Sequence, residues 1–586
     1  VREYVPVGEM IPGMAYLVRR LLENTSNESW LKAGFLENAD TAQLLASPHD
    51  APGAERPQDL REIAPERHLL SDATPGVGDD RPFFTEPVRD FAEDHQRAAY
   101  ARAITAAHVP TVPLDATADD AKRAVDDLDA FFPTWRDTDP IERANTIDRA
   151  AQLMADRRDE LAGVIIKENG KPWREADADV TEAIDFCRYY AREAPKLFQR
   201  GRLGRFIGEL DELWHQPRGV AAVISPWNFP LAISCGMTTA ALVTGNTVAL
   251  KPAEQTPAIA RILADILYQA GLPEDALRFL SGPGETVGAA LVRDPRVSLI
   301  AFTGSKAVGL DIIKAAGLVD ESAGQRSVKK VVCEMGGKNA IIVDTSADLD
   351  EAVLGVRYSA FGFSGQKCSA CSRCIVVDPA GPEGPAITAF LERFLPSVRS
   401  LVCADPIQPG TDVGPVIDDE AADTIMRAIE RAKQEIGPPA LEMEHTTIPA
   451  DSPTIPKRIV GPTVFTNVKP EHDLARNEVF GPVLAVMHAH DYDEALRIAN
   501  DHPYKLTGAV FSRKPAHIEH AKRDFRVGNL YINRPCTGAL VARHPFGGFG
   551  MSGVGSKAGG PAYLTQFVEP RACAENTMRR GFAPEL

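Results

Sequence analysis

Residues 219–254 read GVAAVISPWNFPLAISCGMTTAALVTGNTVALKPAE, and the rhythm of this stretch sets the fold. Two short apolar runs, GVAAVISP and NTVALKP, have the length and texture of buried strands. The segment between them, LAISCGMTTAALVTG, is long enough for a helix. The pattern then repeats. LRFLSG and VSLIAFTG read as strands, and PAIARILADILYQAG, ETVGAALVRD and KAVGLDIIKAAG read as helices. Such alternation implies a parallel sheet with helices on both faces. A second series, containing NAIIVD, CIVVD, LAVMHA, GAVFS and GNLYINR, runs from 339 to about 533. The expected fold is therefore α/β, with a Rossmann-type domain, a second α/β domain and an N-terminal extension. Doubly wound sheets bind dinucleotides at the carboxyl ends of their strands, often through G-x-G-x-x-G. That motif is absent. SGPGETVG (281–288), which contains Gly284, is one residue too long. FTGSKAVG (302–309) puts Gly304 and Ser305 at a helix start, where a phosphate contact or an ordinary N-cap would fit.

The totals narrow the function classes. The chain has 586 residues, 44% of them hydrophobic, enough for more than one core. Its net charge is -17, its pI is about 5.3 and it has no long basic run, which argues against a nucleic-acid partner. No apolar stretch approaches the ~18 residues of a membrane span. The first residues, VREYVPVGEM, are polar, lack a secretory pattern and do not begin with Met, so a fragment or a processed product is expected. Nine cysteines, an odd number, suit free thiols in a reducing, cytoplasmic setting. Residues 8–30 carry an amphipathic helical pattern, 46–90 are rich in Pro, Asp and Arg and read as a linker, and helical patterns dominate from 91 to about 200.

Residues 362–379, GFSGQKCSACSRCIVVDP, space Cys368, Cys371 and Cys374 three apart, with Asp378 and Pro379 following. A bacterial iron–sulfur run is C-x2-C-x2-C-x3-C-P. Here Asp378 stands where the fourth cysteine would be, and no second cysteine cluster supplies the missing ligand, so no metal is expected. Cys371 and Cys374 read as small buried residues entering a strand.

Six further pieces occur together: ISPWNFP with Asn228, VALKPAEQTP with Lys251 and Glu254, CEMGGKNA with Glu334, GQKCSACS with Cys368, NEVFGPVL (477–484) and HPFGGFGMSG (544–553). In order and spacing they resemble the aldehyde dehydrogenase superfamily over roughly residues 91–570. The resemblance implies a catalytic trio. Cys368 is the nucleophile, and the Asn228 amide and the Cys368 backbone N–H steady the oxyanion. Glu334 activates water against the thioester. A free thiol is mostly protonated at neutral pH, so a helix terminus or nearby donors are expected to help Cys368. The implied cofactor is NAD. Lys251 and Glu254 would hold the adenosine ribose, a carboxylate there disfavouring the 2′-phosphate of NADP. Glu478 and Phe480 would position the nicotinamide ribose and ring. Ser225, Pro226, Trp227, Gly284, Gly304 and Ser305 complete the cofactor set.

Within that superfamily, Ser369 and the TGA at 537–539, ahead of PFGG and KAGGPAYL, resemble the L-glutamate γ-semialdehyde (Δ1-pyrroline-5-carboxylate) dehydrogenases. There the Gly538 and Ala539 N–H groups and the Ser369 hydroxyl would hold the substrate α-carboxylate, and Phe229 and Phe546 would box in its stem. Cys536 and Arg543 receive no role. The N-terminal VREYVPVGEMIPGMAYLVRRLLENTSNESWL resembles the end of a proline dehydrogenase barrel, with Arg19 and Arg20 as its carboxylate clamp and Tyr16 and Glu23 one turn either side. Fusion of the two enzymes is the plan of the bifunctional proline-catabolic flavoproteins. With only the barrel's tail present, proline dehydrogenase activity is not expected from this chain alone, and the resemblance leaves open a proline dehydrogenase module missing upstream. The implied organisation is 1–45 barrel remnant, 46–90 linker, 91–333 NAD-binding domain, 334–535 catalytic domain, and 536–586 substrate-anchor loop, return to the NAD-binding domain and oligomerisation tail. The implied activity is NAD-dependent oxidation of L-glutamate γ-semialdehyde to L-glutamate by a cytoplasmic homo-oligomer. The alternative is a general dehydrogenase for another small aldehyde.

Overall fold

Each apolar run between 219 and 304 forms a strand: Val220–Ile224, Thr247–Lys251, Leu277–Phe279 and Val297–Thr303, all parallel. The computed structural model describes residues 76–78 and 83–578; Tyr16, Arg19, Arg20 and Glu23 lie outside the described residues. Thr247–Lys251 is buried at every position, as a strand covered on both faces requires. Along Val220–Ile224, Ala221 and Val223 join one apolar cluster and Val220 and Ala222 the other, because successive side chains point to opposite faces. Full burial of a side chain such as Val223 stabilises by about 1.5–3 kcal/mol. Helices Ala232–Val243, Pro257–Gln269 and Lys306–Ala316 make the crossovers. ETVGAALVRD begins with a π-helical turn, Gly284–Gly288, before Ala289–Arg293.

The six strands of this sheet run Leu277–Phe279, Thr247–Lys251, Val220–Ile224, Val297–Thr303, Lys330–Glu334, Gly553–Val554. The chain steps outward from Val220–Ile224 on one side and then returns to its other side. That reversal opens a crevice at the carboxyl ends of the strands. Only Gly553–Val554, brought back from the C-terminal region, is antiparallel to its neighbour.

The second sheet has seven strands, in the order Leu441–Glu442, Thr463–Phe465, Val483–Ala489, Cys371–Val377, Asn339–Val343, Thr507–Phe511, Asn529–Ile532. All but the first pair are parallel. The runs NAIIVD, CIVVD, LAVMHA, GAVFS and GNLYINR supply five of them. Leu441–Glu442 and Thr463–Phe465 span two and three residues, too few to show a period in sequence. A third, antiparallel sheet joins Gly201–Arg202, Glu209–Pro217 and Val568–Asn576.

The end of the expected linker is not free. The Glu86 N–H donates to Asp185 (2.7 Å), the Arg89 N–H donates to Asp177 (2.8 Å), and the Glu86 carboxylate pairs with Arg188 (2.6 Å). These partners stand on helix Trp173–Phe198. The polar composition that suggests a solvated linker serves here as a set of docking groups. Among the described residues no helix is long and apolar enough to cross a membrane.

Candidate active site

The chain reaches Cys368 through a strained turn. After helix Leu349–Phe361, the residues Phe363, Ser364 and Gly365 all take positive φ (50°, 55° and 68°). Each non-glycine residue so placed costs on the order of 1–3 kcal/mol and needs support from its surroundings. The Ser364 hydroxyl donates to the Gly414 carbonyl (2.7 Å), the Ile417 N–H donates to the Gln366 side chain (2.9 Å), and Lys367 pairs with Glu175 (2.7 Å). The Asn339 amide then grips the Cys368 and Ala370 carbonyls at 2.7 and 2.9 Å. Cys371 and Cys374 belong to strand Cys371–Val377 and are buried in its core. The Asp378 carboxylate accepts the N–H of Ala380 in the turn that follows it, and the N–H groups of Ala386 and Ile387 at the start of helix Pro385–Arg399. The cysteine run thus divides into one thiol in a cavity, two packing groups and one cap.

Two cavities meet at Cys368. Phe229, Ser369, Gly538, Ala539, Phe546 and Glu334 line the first. Pro226, Trp227, Asn228, Gly304, Glu478 and Phe480, with Ser305, line the second. Lys251, Glu254 and Gly284 form a separate cluster beyond strand Thr247–Lys251. There Glu254 accepts from the Lys251 ammonium (2.7 Å) and from the Gly284 N–H (2.6 Å). Burial works against the Glu254 carboxylate, but Lys251 and the backbone N–H groups of Glu254 and Gly284 together hold the group below its usual range. Ser225 lines neither of these two cavities; its hydroxyl accepts from Ser234 at 2.7 Å. Ser305 caps helix Lys306–Ala316. Phe480 also sits at positive φ (58°), so EVFGPVL is a turn entering strand Val483–Ala489 rather than a continuous strand.

The electrostatics of the junction differ from the sequence expectation. Burial pushes the Cys368 thiol up to about 12, with Glu334 and Glu478 adding to it and the Ser369 N–H opposing. No helix terminus or cation reverses the sign. Burial likewise pushes Glu334 up to about 8, against the Gly548 N–H and Lys557. One Glu334 oxygen accepts from Gly548 at 3.0 Å and, among the described residues, the other has no hydrogen-bond partner. Gly547 and Gly553 make room for that carboxyl, since a Cβ would stand 2.7 Å and 3.0 Å from its oxygens. Glu478 accepts from the Gly337 N–H (2.8 Å) and burial pushes it up to about 7. The Asn228 amide spends one hydrogen on the Gln366 carbonyl (3.1 Å) and, among the described residues, keeps the second.

Sequence reasoning missed several groups. Glu182 lines the first cavity and is pushed up to about 8, chiefly by burial and then by Asp179. The Thr537 hydroxyl meets the Ser369 hydroxyl at 2.8 Å, tying the two halves of the expected carboxylate site together. The Cys536 thiol donates to the Ser369 carbonyl (3.4 Å), and the Arg543 N–H donates to the Leu540 carbonyl (3.2 Å). A signal for Glu182 existed: Glu175, Asp179, Glu182 and Asp185 recur at helical spacing on a helix otherwise full of buried residues.

Comparison with known proteins agrees with this arrangement. The aldehyde dehydrogenase family profile matches residues 91–573, and the proline dehydrogenase profile matches residues 1–33. The 1-pyrroline-5-carboxylate dehydrogenase of Geobacillus thermodenitrificans is 46% identical over 455 residues, 78% of this chain and 85% of that protein. A Halalkalibacterium halodurans 1-pyrroline-5-carboxylate dehydrogenase 1 is 45% identical over 460 residues, covering 78% and 86%. Among solved structures, the Thermus 1-pyrroline-5-carboxylate dehydrogenase with bound NAD matches with a TM-score of 0.78 at 39% identity, over 85% of this chain and 99% of that one. Proline utilization A from Bdellovibrio bacteriovorus matches at 0.82 and 43% over the whole of this chain but 61% of its own. The present chain therefore spans about three fifths of that protein's length. A profile match over most of the chain, and a lone thiol set between two cavities beside a buried glutamate, make this chain a member of the aldehyde dehydrogenase family.

Proposed function

We propose that the chain oxidises L-glutamate γ-semialdehyde, the open form of Δ1-pyrroline-5-carboxylate, to L-glutamate with NAD as acceptor, the second step of proline catabolism. The observation that carries this reading is the junction at Cys368. One cavity leads from the thiol to the donors of Ser369, Gly538 and Ala539 and to the Glu182 carboxylate; the other leads along the crevice of the six-stranded sheet. An α-carboxylate suits the donors, an α-ammonium suits Glu182, and Phe229 and Phe546 suit the methylene stem. The relatives named above as 1-pyrroline-5-carboxylate dehydrogenases support the same substrate.

The second cavity fits a dinucleotide. Gly304 puts no side chain at the start of helix Lys306–Ala316, and Glu254, kept ionised by Lys251, would repel a 2′-phosphate, which favours NAD over NADP. NAD, when bound, takes the hydride from the substrate carbon. The protein supplies the rest. The Cys368 sulfur, its proton released to solvent, bonds to the aldehyde carbon, and the free Asn228 amide hydrogen and the Cys368 N–H hold the oxyanion. Loss of hydride leaves a thioester. Glu334 as carboxylate takes a proton from water, the water oxygen bonds to the acyl carbon, and the sulfur departs.

On this reading residues 91–333, with 536–586 returning to them, hold the cofactor, 334–535 carry the thiol, and 1–45, whose first 33 residues match the proline dehydrogenase profile, are a remnant of such a barrel's end. The sheet of Glu209–Pro217 and Val568–Asn576, with Leu203, Phe206 and Ile207 exposed beside it, supports a homo-oligomer. The nine thiols support a cytoplasmic setting.

Steady-state assays with pyrroline-5-carboxylate and propanal, each with NAD and NADP, test the proposal. NAD is expected to be preferred, and the semialdehyde to be preferred over propanal. Loss of one charge-assisted bond costs about 1.5–3 kcal/mol, so Ser369→Ala is expected to lower kcat/KM for the semialdehyde roughly ten- to a hundredfold and to spare propanal. Equal efficiency of the wild type on both aldehydes would return the function to a general aldehyde dehydrogenase.

A further inference from the structure

The segment 537–541, which presents Gly538 and Ala539, has no helix or strand of its own, and Gly538 takes φ 76°. Side chains outside it hold it. The Arg534 guanidinium donates from Nη2 to the Gly538 carbonyl (3.3 Å), and its Nη1 meets Nε2 of His544 (2.7 Å). The Leu540 N–H approaches Nδ1 of His544 at 3.2 Å. Arg534 also lies over the Tyr531 ring, 4.9 Å from its centre, and so is anchored to strand Asn529–Ile532. A neutral imidazole accepts through one nitrogen only, so Arg534 and Leu540 compete for His544. The arginine's uncontested hold on the loop is therefore the Gly538 carbonyl.

That hold has a directional consequence. The Gly538 C=O and the Ala539 N–H belong to one planar trans peptide and point in opposite senses. Fixing the carbonyl toward Arg534 aims the Ala539 N–H away from Arg534. Among the described residues neither the Gly538 N–H nor the Ala539 N–H donates to a protein acceptor, and both residues line the cavity that ends at Cys368. We propose that Arg534 is a specificity-determining positioning residue: by holding the Gly538 carbonyl it aims the Ala539 N–H at the α-carboxylate of the aldehyde substrate, with His544 completing the brace. The inference rests on the reading of Gly538 and Ala539 as carboxylate donors. It assigns the preference for an acidic aldehyde in part to a side chain that need not touch it.

The test compares wild type, Arg534→Gln and Arg534→Lys on L-glutamate γ-semialdehyde and on propanal, with NAD saturating, at low and high salt. For Arg534→Gln we expect KM for the semialdehyde to rise about tenfold, with kcat and the propanal kcat/KM within twofold of wild type. Retained propanal oxidation also shows that the variant is folded. Arg534→Lys keeps the charge but not the planar fork, so it should recover only part of the loss. Full recovery by lysine together with disappearance of the effect at high salt would reduce Arg534 to a distant charge and overturn the proposal. So would equal loss on both aldehydes, or an unchanged preference in Arg534→Gln. A wild type with no preference for the semialdehyde would instead overturn the parent reading, and the proposal with it.

Discussion

At Cys368 and Glu334 burial favours the protonated form of both groups near neutral pH. In the proposed reaction Glu334 must be a carboxylate to take a proton from water, and its carboxyl is pushed up to about 8, so the competent fraction grows as pH rises through that value and falls about tenfold per unit below it. Turnover should therefore climb from pH 6 to 8 and level off above. Glu334→Gln should abolish that limb, giving one burst of NADH followed by slow turnover; absence of the burst in rapid mixing would mean that Glu334 is needed before the thioester forms. Cys368→Ala should end NADH formation. Cys371→Ala and Cys374→Ala, which trim buried packing groups, should keep most of it, and comparable losses from all three would revive a shared metal. Much of the candidate site was legible in short motifs, because Cys368, Glu334 and Asn228 each sit in a distinctive local context. The protonation states were not. They depend on burial, which a motif does not report. Glu182 escaped because its helix lies far from every motif, and charged residues at helical spacing usually read as a solvated face.

Helix Trp173–Phe198 is where local pattern and tertiary role part most clearly. Just before it, the Lys171 ammonium is wholly buried, paired with Asp179 at 2.8 Å and centred 3.8 Å from the Phe229 ring. Asp179 in turn accepts the Ala232 N–H (2.7 Å), which joins this helix to the first crossover of the six-stranded sheet. Removing one partner of a buried pair strands the other charge, at a cost of roughly 3–5 kcal/mol. Lys171→Met should accordingly lower the urea midpoint markedly, and Lys171→Met with Asp179→Asn should regain part of it, since Asn still accepts from Ala232. A single variant as stable as wild type would show that the pair contributes nothing. The strands of both large sheets were readable wherever an apolar run reached four or more residues. The long helix was visible only as a helical stretch, since its buried acids obey no hydrophobic period. The turn at Phe363–Gly365 was invisible except for its glycine, because support for positive φ comes from Gly414 and Ile417, about fifty residues away.

Across the described residues, the family match begins at residue 91 while side-chain ties reach back to Phe83, whose ring meets Tyr189, and to Glu86. Deleting residues 1–45 should leave aldehyde oxidation and thermal unfolding nearly unchanged. Deletion through residue 90 should lower the unfolding temperature, because Arg158 and Arg188 lose Glu86. If the shorter deletion abolished activity in folded protein, residues 1–45 would belong to the working enzyme. The two-sheet plan was legible from alternation alone. The return of the C-terminal region to the first sheet was not, since Gly553–Val554 is two residues long and its partner strand lies more than two hundred positions away. That return has a consequence for how the enzyme is made. The Gly548 N–H that seats Glu334 lies 214 positions downstream of it, and Ser552 accepts the N–H of neighbouring Met335. A ribosome releases the thiol-bearing segment well before either contact can exist, so a nascent chain carries Cys368 before Glu334, its proposed base, is seated. Contacts so distant in sequence form late. In refolding from urea, helical signal should return ahead of aldehyde oxidation, and chains arrested before residue 544 should be folded in part yet chemically silent.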